Sequence, residues 1–214
     1  MRNGLIKSAE PGVVVFRNQS RLNEEIYFPE VVGHGHTLRL ALEKMTRPEF
    51  RPTNNFSAHI ALHIRMGDFE KPASIDELRA GRKNSSTPVD WFVGILMGLR
   101  ERLGDVRAIV YSDGNDLSLA KLLGLPNVTR APQQPSVTDM LCISRATILI
   151  SSGSGFSMWG SFLGDVPRIC FPGQRFVRVL GEPLDVDYEP EVESINELSI
   201  DFTDSMLKHF YSRI

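Results

Sequence analysis

Three short polar clusters in this 214-residue sequence follow candidate strand ends, and the first and third hold residue types suited to an anion. They are Arg65-Met-Gly-Asp68, with His63 two residues ahead, then Ser112 to Asp116, then Ser151-Ser-Gly153-Ser-Gly155-Phe156-Ser157. An arginine fork at Arg65 matches a diphosphate in both charge and shape. An ion pair between Arg65 and Asp68 is an equally good reading of the same spacing. The glycine- and serine-rich run permits close backbone approach. Ahead of a helix it presents unpaired N–H groups and a partial positive charge, which suit a phosphate; a plain turn is its competing reading. It is not a P-loop, because no Gly-Lys-Ser/Thr follows, and glycines at 153, 155 and 160 do not make a dinucleotide fingerprint.

Other candidates have blander alternatives. His59 and His63 are four apart, which on a helix suggests a metal pair. Here the run alternates as a strand and no thiol or carboxylate cluster completes a ligand set, so no metal is expected. His34 and His36 read as loop residues. Asp139 follows Ser136 by three, close to a capping box, and Asp113 and Asp116 have cap or turn readings. Cys142 and Cys170 each lie in an apolar run and read as small buried hydrophobes. Ser157, Asp185 or Asp187, and His209 follow the chain order of an α/β hydrolase triad. However, Gly155-Phe-Ser157-Met-Trp159 lacks the final glycine of a nucleophile elbow.

The elements that must position these residues are legible from residue 58 onward. Ala58 to Arg65 alternates as a strand, with Ile60, Leu62 and Ile64 on one face and His59, Ala61, His63 and Arg65 on the other. A polar loop is expected from Glu70 to Pro88. Asp90 then caps a helix whose apolar side is Trp91, Phe92, Ile95, Leu96, Leu99 and Leu103. Val106 to Tyr111 is a strand, Asp116 to Leu123 a short helix, and Asn127 to Arg130 a brief strand. Ser136 opens a helix, Thr147 to Ile150 is a strand, and Phe156 to Leu163 is a helix. Arg168 to Phe171 is a strand closed by Pro172-Gly173, and an acidic loop runs on to a last helix capped by Thr203. Before residue 58 there is a strand-like run from Val13 to Phe16, a helix from Thr37 to Met45, and a linker bracketed by Pro48 and Pro52.

Strands alternating with helices predict a Rossmann-like parallel sheet with flanking helices. Ligands in such sheets sit beyond the carboxyl ends of the strands. All three polar clusters follow strand ends, so they are expected along one edge. The expected division is an N-terminal segment, 1–57, and a nucleotide-binding domain, 58–214.

Composition narrows the class further. Twenty-four basic and 26 acidic residues give a net charge of −2, which argues against a broad nucleic-acid footprint. At 24.0 kDa the chain can bury about 70% of its unfolded surface. No apolar stretch approaches the length of a membrane span. Met1 to Glu10 lacks the apolar core of a signal peptide. The Asn-x-Ser/Thr sites at Asn18, Asn55, Asn84 and Asn127 then read as chance.

Taken together, His63-Ile-Arg65-Met-Gly-Asp68, Tyr111-Ser-Asp113, Asp139-Met140 and Ile150-Ser-Ser-Gly-Ser-Gly-Phe156-Ser157-Met-Trp159-Gly160 resemble the ordered motifs of the α-1,2-fucosyltransferases, glycosyltransferase family 11. They are similar, more remotely, to the α-1,6- and protein O-fucosyltransferases. The resemblance covers about residues 58–165 and implies the C-terminal lobe of a GT-B-like fold. It implies a GDP-fucose donor and inverting, metal-independent transfer of fucose to a glycan hydroxyl, with no cofactor. Arg65 would bind the β-phosphate, with Asp68 the nearest carboxylate to the reaction. His63 and Asp139 would contact guanine, Asp113 would belong to the donor site, and Ser157 with the backbone of Gly155 and Phe156 would hold phosphate. Met66 and Met158 depart from the family pattern. The family's Gly-Leu-Gly-Asn-Gln segment is not found, so the acceptor-facing lobe is expected to be missing or reduced to 1–57. The other class of reading is a nucleotide-sugar-binding domain without turnover. The expected location is the bacterial cytoplasm, with a Golgi location requiring an anchor upstream.

Overall fold

A computed structural model describes residues 31–53, 58–176, 179, 187–190 and 200–211. Its centre is a six-stranded sheet in the order β3-β2-β1-β4-β5-β6, with every pairing parallel. The strands are β1 (Ile60–Ile64), β2 (Ala108–Ser112), β3 (Val128–Arg130), β4 (Ile148–Ser151), β5 (Arg168–Cys170) and β6 (Asp187–Tyr188). The helices are α1 (Gly35–Met45), α2 (Ile75–Arg79), α3 (Val89–Leu103), α4 (Ala120–Leu123), α5 (Ser136–Ile143), α6 (Gly155–Gly164) and α7 (Ile200–Tyr211). The expected Rossmann-like class is the observed one.

Strand alternation decides which helix covers which face. Ile60, Leu62 and Ile64 of β1 pack with Phe92, Ile95 and Leu96 of α3 and with Met206 and Phe210 of α7. Ala61 joins Ile109 and Tyr111 of β2 and Cys142 and Ile143 of α5 on the other face. All five residues of β1 are therefore buried. Its second face was expected to be polar, but a parallel strand covered by helices on both sides has no solvated face. Both cysteines are free and buried.

Several boundaries differ from the sequence reading, each for a local reason. Asp90 does not cap α3: Pro88 occupies that position, and Asp90 pairs with Lys121 at 2.6 Å. Ser136 is the first residue of α5 rather than its cap, and Asp139 accepts from Gln134 Nε2 at 2.6 Å instead of closing a capping box. Asp116 to Leu119 forms turns around Asn115, whose Oδ1 accepts from Ser118 N at 2.8 Å, so α4 is only the last four residues of the expected helix. The Glu70–Pro88 loop contains α2, capped by Ser74 through Glu77 N, and a bridge between Glu70 and Ser85. Strand β6 was not anticipated, and α7 begins at Ile200 rather than Thr203. The Val13 to Phe16 run lies outside the described residues.

Strand β6 is fixed by a fully buried ion pair. Arg168 Nε donates to Asp187 Oδ1 at 2.7 Å, while Asp187 Oδ2 accepts from Val179 N at 2.7 Å. Asp187 is thereby committed to the edge of the sheet.

Helix α1 is docked on α6 rather than standing apart. Leu38 and Leu42 pack against Met158, Phe162 and Leu163. Arg145 Nη2 pairs with Glu43 at 2.9 Å, and Thr138 Oγ1 donates to Phe50 O at 2.6 Å. A Cβ at Gly35 would lie 2.1 Å from Phe162 O, so the two helices meet backbone to backbone. Gly35→Ala is expected to lower the unfolding free energy by about 1–3 kcal/mol through this overlap, read from the urea midpoint. An unchanged midpoint would mean that α1 does not rest on α6.

Candidate functional site

The strand order reverses between β1 and β4. From β1 the chain proceeds outward to β2 and β3, then returns to place β4 on the opposite side. The connection after β1 leads to α3 on one face, whereas that after β4 leads directly into α6, whose Phe156 packs with the cluster on the other. Loops that part in this way leave a crevice at the carboxyl edge, the standard ligand position in open parallel sheets.

The two loops are stitched across that crevice. Ser152 N donates to His63 O at 2.9 Å, and Arg65 N donates to Ser152 Oγ at 3.1 Å. His63 Nδ1 lies 2.7 Å from Ser157 Oγ, which also donates to Ser152 O at 3.3 Å. The His63 ring stacks on Phe156 with centroids 5.0 Å apart. Ser154 caps α6 by accepting from Phe156 N at 3.2 Å, and the first turn of α6 carries no acidic residue. Its positive end therefore carries no acidic side chain of its own. Burial, aided by the Arg65 charge, lowers the His63 pKa to about 4. The imidazole is neutral at pH 7 and acts as a hydrogen-bonding post.

Arg65 lies just past β1. Its Nη2 pairs with Asp68 Oδ1, its Nη1 is 3.3 Å from Asp113 Oδ2, and its guanidinium carbon is 5.5 Å from the Phe69 ring centroid. The Arg65–Asp68 pair anticipated from the spacing is thus present. Asp113 also accepts from Met66 N at 2.8 Å and from Gly67 N. Burial raises its carboxyl, but these N–H groups and Arg65 outweigh that and hold it below the usual carboxylate range. In this structure Asp113 shapes the 65–68 loop.

The structure therefore gathers His63, Arg65, Asp68, Asp113, Gly155, Phe156 and Ser157 at the ends of β1, β2 and β4. Asp139 lies in the first turn of α5, near Tyr111, the β2 neighbour of His63. Burial raises its carboxyl, and the bond from Gln134 offsets this in part. Gln134, together with Tyr111, Thr138, Arg130 and Phe50, lines a groove of about 390 Å³ over β2 and β3. The sequence reading missed this groove, because its floor and rim come from segments more than 80 residues apart, such as Phe50 and Thr138. It also missed Gln174 and Phe176, which pack against Gly153 beyond β5; the Pro172-Gly173 turn was the only signal there. Ser157 is fully buried and Asp187 is engaged by Arg168, so these two do not form the hydrolase arrangement; Asp185 lies outside the described residues. Among the described residues no three His, Cys, Asp or Glu side chains converge as a metal site, and no helix is long and apolar enough to cross a membrane.

The His63 shift carries a sign. Its folded pKa lies below the ordinary 6.5, so the unfolded chain binds the proton more readily. Stability from the neutral ring is complete above pH 6.5 and is lost as pH falls toward 4, by on the order of 3 kcal/mol. Urea unfolding across that window is expected to show a shallower pH slope in His63→Asn than in the parent, by up to one proton. Identical slopes would refute the buried neutral ring.

No protein-family model matches the sequence, and no curated protein matches it. Three solved structures are similar to part of this chain. The E. coli heptosyltransferase WaaC with ADP is 17% identical, with a TM-score of 0.45, covering 75% of this chain and 46% of that one. POFUT1 in complex with GDP is 14% identical, with a TM-score of 0.37, covering 64% and 46%. The glycosyltransferase SnogD from Streptomyces nogalater is 16% identical, with a TM-score of 0.37, covering 78% and 42%. The chain spans less than half the length of each of these glycosyltransferases.

Proposed function

We propose that this chain is a glycosyltransferase-type protein that binds GDP-fucose in the crevice and transfers fucose with inversion, without a metal, to a glycan hydroxyl. The observation that carries the reading is the juxtaposition, at the β1–β4 reversal, of Arg65 with the acid-free N-terminus of α6. Arg65, once released from Asp68 and Asp113, and the N–H groups that open α6 are two anion-holding features at the place where a diphosphate would lie.

The chemistry follows from what each group can do. As the bond from fucose C1 to the phosphate oxygen breaks, negative charge grows on the departing GDP. Arg65 and the N–H groups near Gly155 and Phe156 face that charge. His63 keeps Ser157 in place and adds no charge of its own. The groove lined by Gln134 accommodates the base, and the Asp139 carboxylate, which accepts from Gln134, is the acceptor for guanine N–H groups on this reading. Asp68 is exposed and paired with Arg65. When Arg65 turns to the diphosphate, Asp68 is released and can take the proton of the attacking hydroxyl. The second reading is donor binding without turnover, favoured by the pairing of Asp68 with Arg65, which occupies the candidate base.

Thermal unfolding with GDP, GDP-fucose or UDP-glucose, with and without EDTA, tests the donor site. At ten times Kd a bound ligand adds about 1.4 kcal/mol, or roughly 3–5 °C at this size. The expected shift occurs with GDP and GDP-fucose only, is indifferent to EDTA, and disappears in Arg65→Ala. Absence of any shift in a chain that unfolds cooperatively sinks the proposal. Release of free fucose or fucosyl product from GDP-fucose then separates the enzyme from the binding domain.

A further inference from the structure

The chain beyond β5 folds back over the crevice through a turn that only glycine permits. Gly173 has φ +83°, and a Cβ there would lie 2.2 Å from Arg79 O. Phe176 follows with φ +61°, a left-handed conformation that bulky residues rarely adopt. It is held there from both sides. Arg175 N donates to Glu189 Oε1 at 2.7 Å, and Val179 N donates to Asp187 at 2.7 Å. Strain maintained by the surrounding structure is a pointer to function rather than an accident of packing.

The Phe176 ring lies against Gly153, in the loop that leads into α6. A Cβ at Gly153 would come 2.6 Å from Phe176 Cε2 and 3.0 Å from Gln174 Oε1. The ring is 37% exposed, so part of it faces out of the fold. Gln174 beside it is fully buried, and its Nε2 donates to Leu78 O at 2.7 Å and Arg82 O at 3.3 Å. Those bonds fix the orientation of the amide, yet Oε1 has no partner. A sealed acceptor with nothing to accept from is uncommon in a folded protein, and a ligand hydroxyl is one way to satisfy it.

We infer that Phe176 and Gln174 form the subsite for the sugar of a nucleotide sugar. The ring takes the apolar C–H face of the sugar, and Gln174 Oε1, buried in the free chain, accepts from a hydroxyl that a shift of the ring edge lets in. The inference rests on the donor site proposed above. A sugar is the ligand class that presents a C–H face and a hydroxyl edge together. The lone acceptor here offers nothing to a phosphate. Position supports the assignment. The groove lies over β2 and β3, Arg65 and α6 meet at β1 and β4, and Phe176 follows at β5. Neighbouring strands are about 4.8 Å apart, so β2 to β5 spans about 14 Å. Base, diphosphate and sugar follow one another in that order along a nucleotide sugar.

Isothermal titration of the full chain with GDP and with GDP-fucose tests this. The expected parent protein binds GDP-fucose about tenfold tighter than GDP. Phe176→Ala leaves GDP affinity within twofold of the parent and brings GDP-fucose down to the same level, while Phe176→Tyr retains the preference. Loss of both affinities by the same factor in Phe176→Ala, together with a lower unfolding midpoint, would make the ring a packing element and overturn the subsite. So would a preference that survives the alanine, or a parent protein that binds GDP and GDP-fucose equally. A parent protein that binds neither nucleotide removes the donor site itself, and the sugar subsite with it.

Discussion

Parallel pairing of Ile60–Ile64 with Ile148–Ser151 sets residues 63–68 beside residues 152–157, two segments that meet nowhere in the sequence. Both strands are buried throughout, so a slip in register would drive His63 into the wrong face and remove a set of aliphatic contacts at once. The register His63↔Ser151 is what allows Ser152 to receive Arg65 N and to donate to His63 O. The crevice is therefore a consequence of core packing. Its polar groups sit where the apolar strands run out.

Burial also explains the division of labour among those groups. His63 is close enough to Arg65 to feel its charge and too buried to bear one of its own. It serves as a rigid strut between β1 and α6, with Ser157 and Phe156 on its two sides. Arg65 remains partly solvated, between Asp68 and Asp113. Glycines at 67, 114 and 153 let side chains of the opposing segments come close: Asp113 at Gly67, Met66 at Gly114, Phe176 at Gly153.

What could be read in advance followed how strongly each element was written. Alternation over Ala58 to Arg65, the 3.6-residue spacing from Trp91 to Leu99, and the glycine-serine run before Phe156 each reflect burial and turn geometry, and all three elements are where they were expected. Strand β6 is two residues in an acidic tail, and its existence depends on a partner for Arg168 that no local pattern announces. Helix α2 was legible and overlooked: Ser74 followed by Glu77 is a capping pair, with Ala73 N donating to Glu77 Oε2 at 3.0 Å. The similar spacing of Ser136 and Asp139 misled, because Pro135 took the cap position. Asp139 and His63 could be named as polar candidates, but their partners, Gln134 for the one and Ser157 for the other, are set by how α5 and α6 pack and could not be read locally.

The company Arg65 keeps has a kinetic consequence. In the free protein its single positive charge lies between Asp68 and Asp113, so the immediate neighbourhood sums to a negative charge. Such a neighbourhood does not by itself draw polyanions from a distance. On the proposed function, an arriving diphosphate must displace a carboxylate already in place. Singly charged anions of the surrounding salt gain little from that exchange, whereas a diphosphate offers several oxygens at once. On that proposal, selectivity against common small anions would be built into the pairing of Arg65 with Asp68 and Asp113.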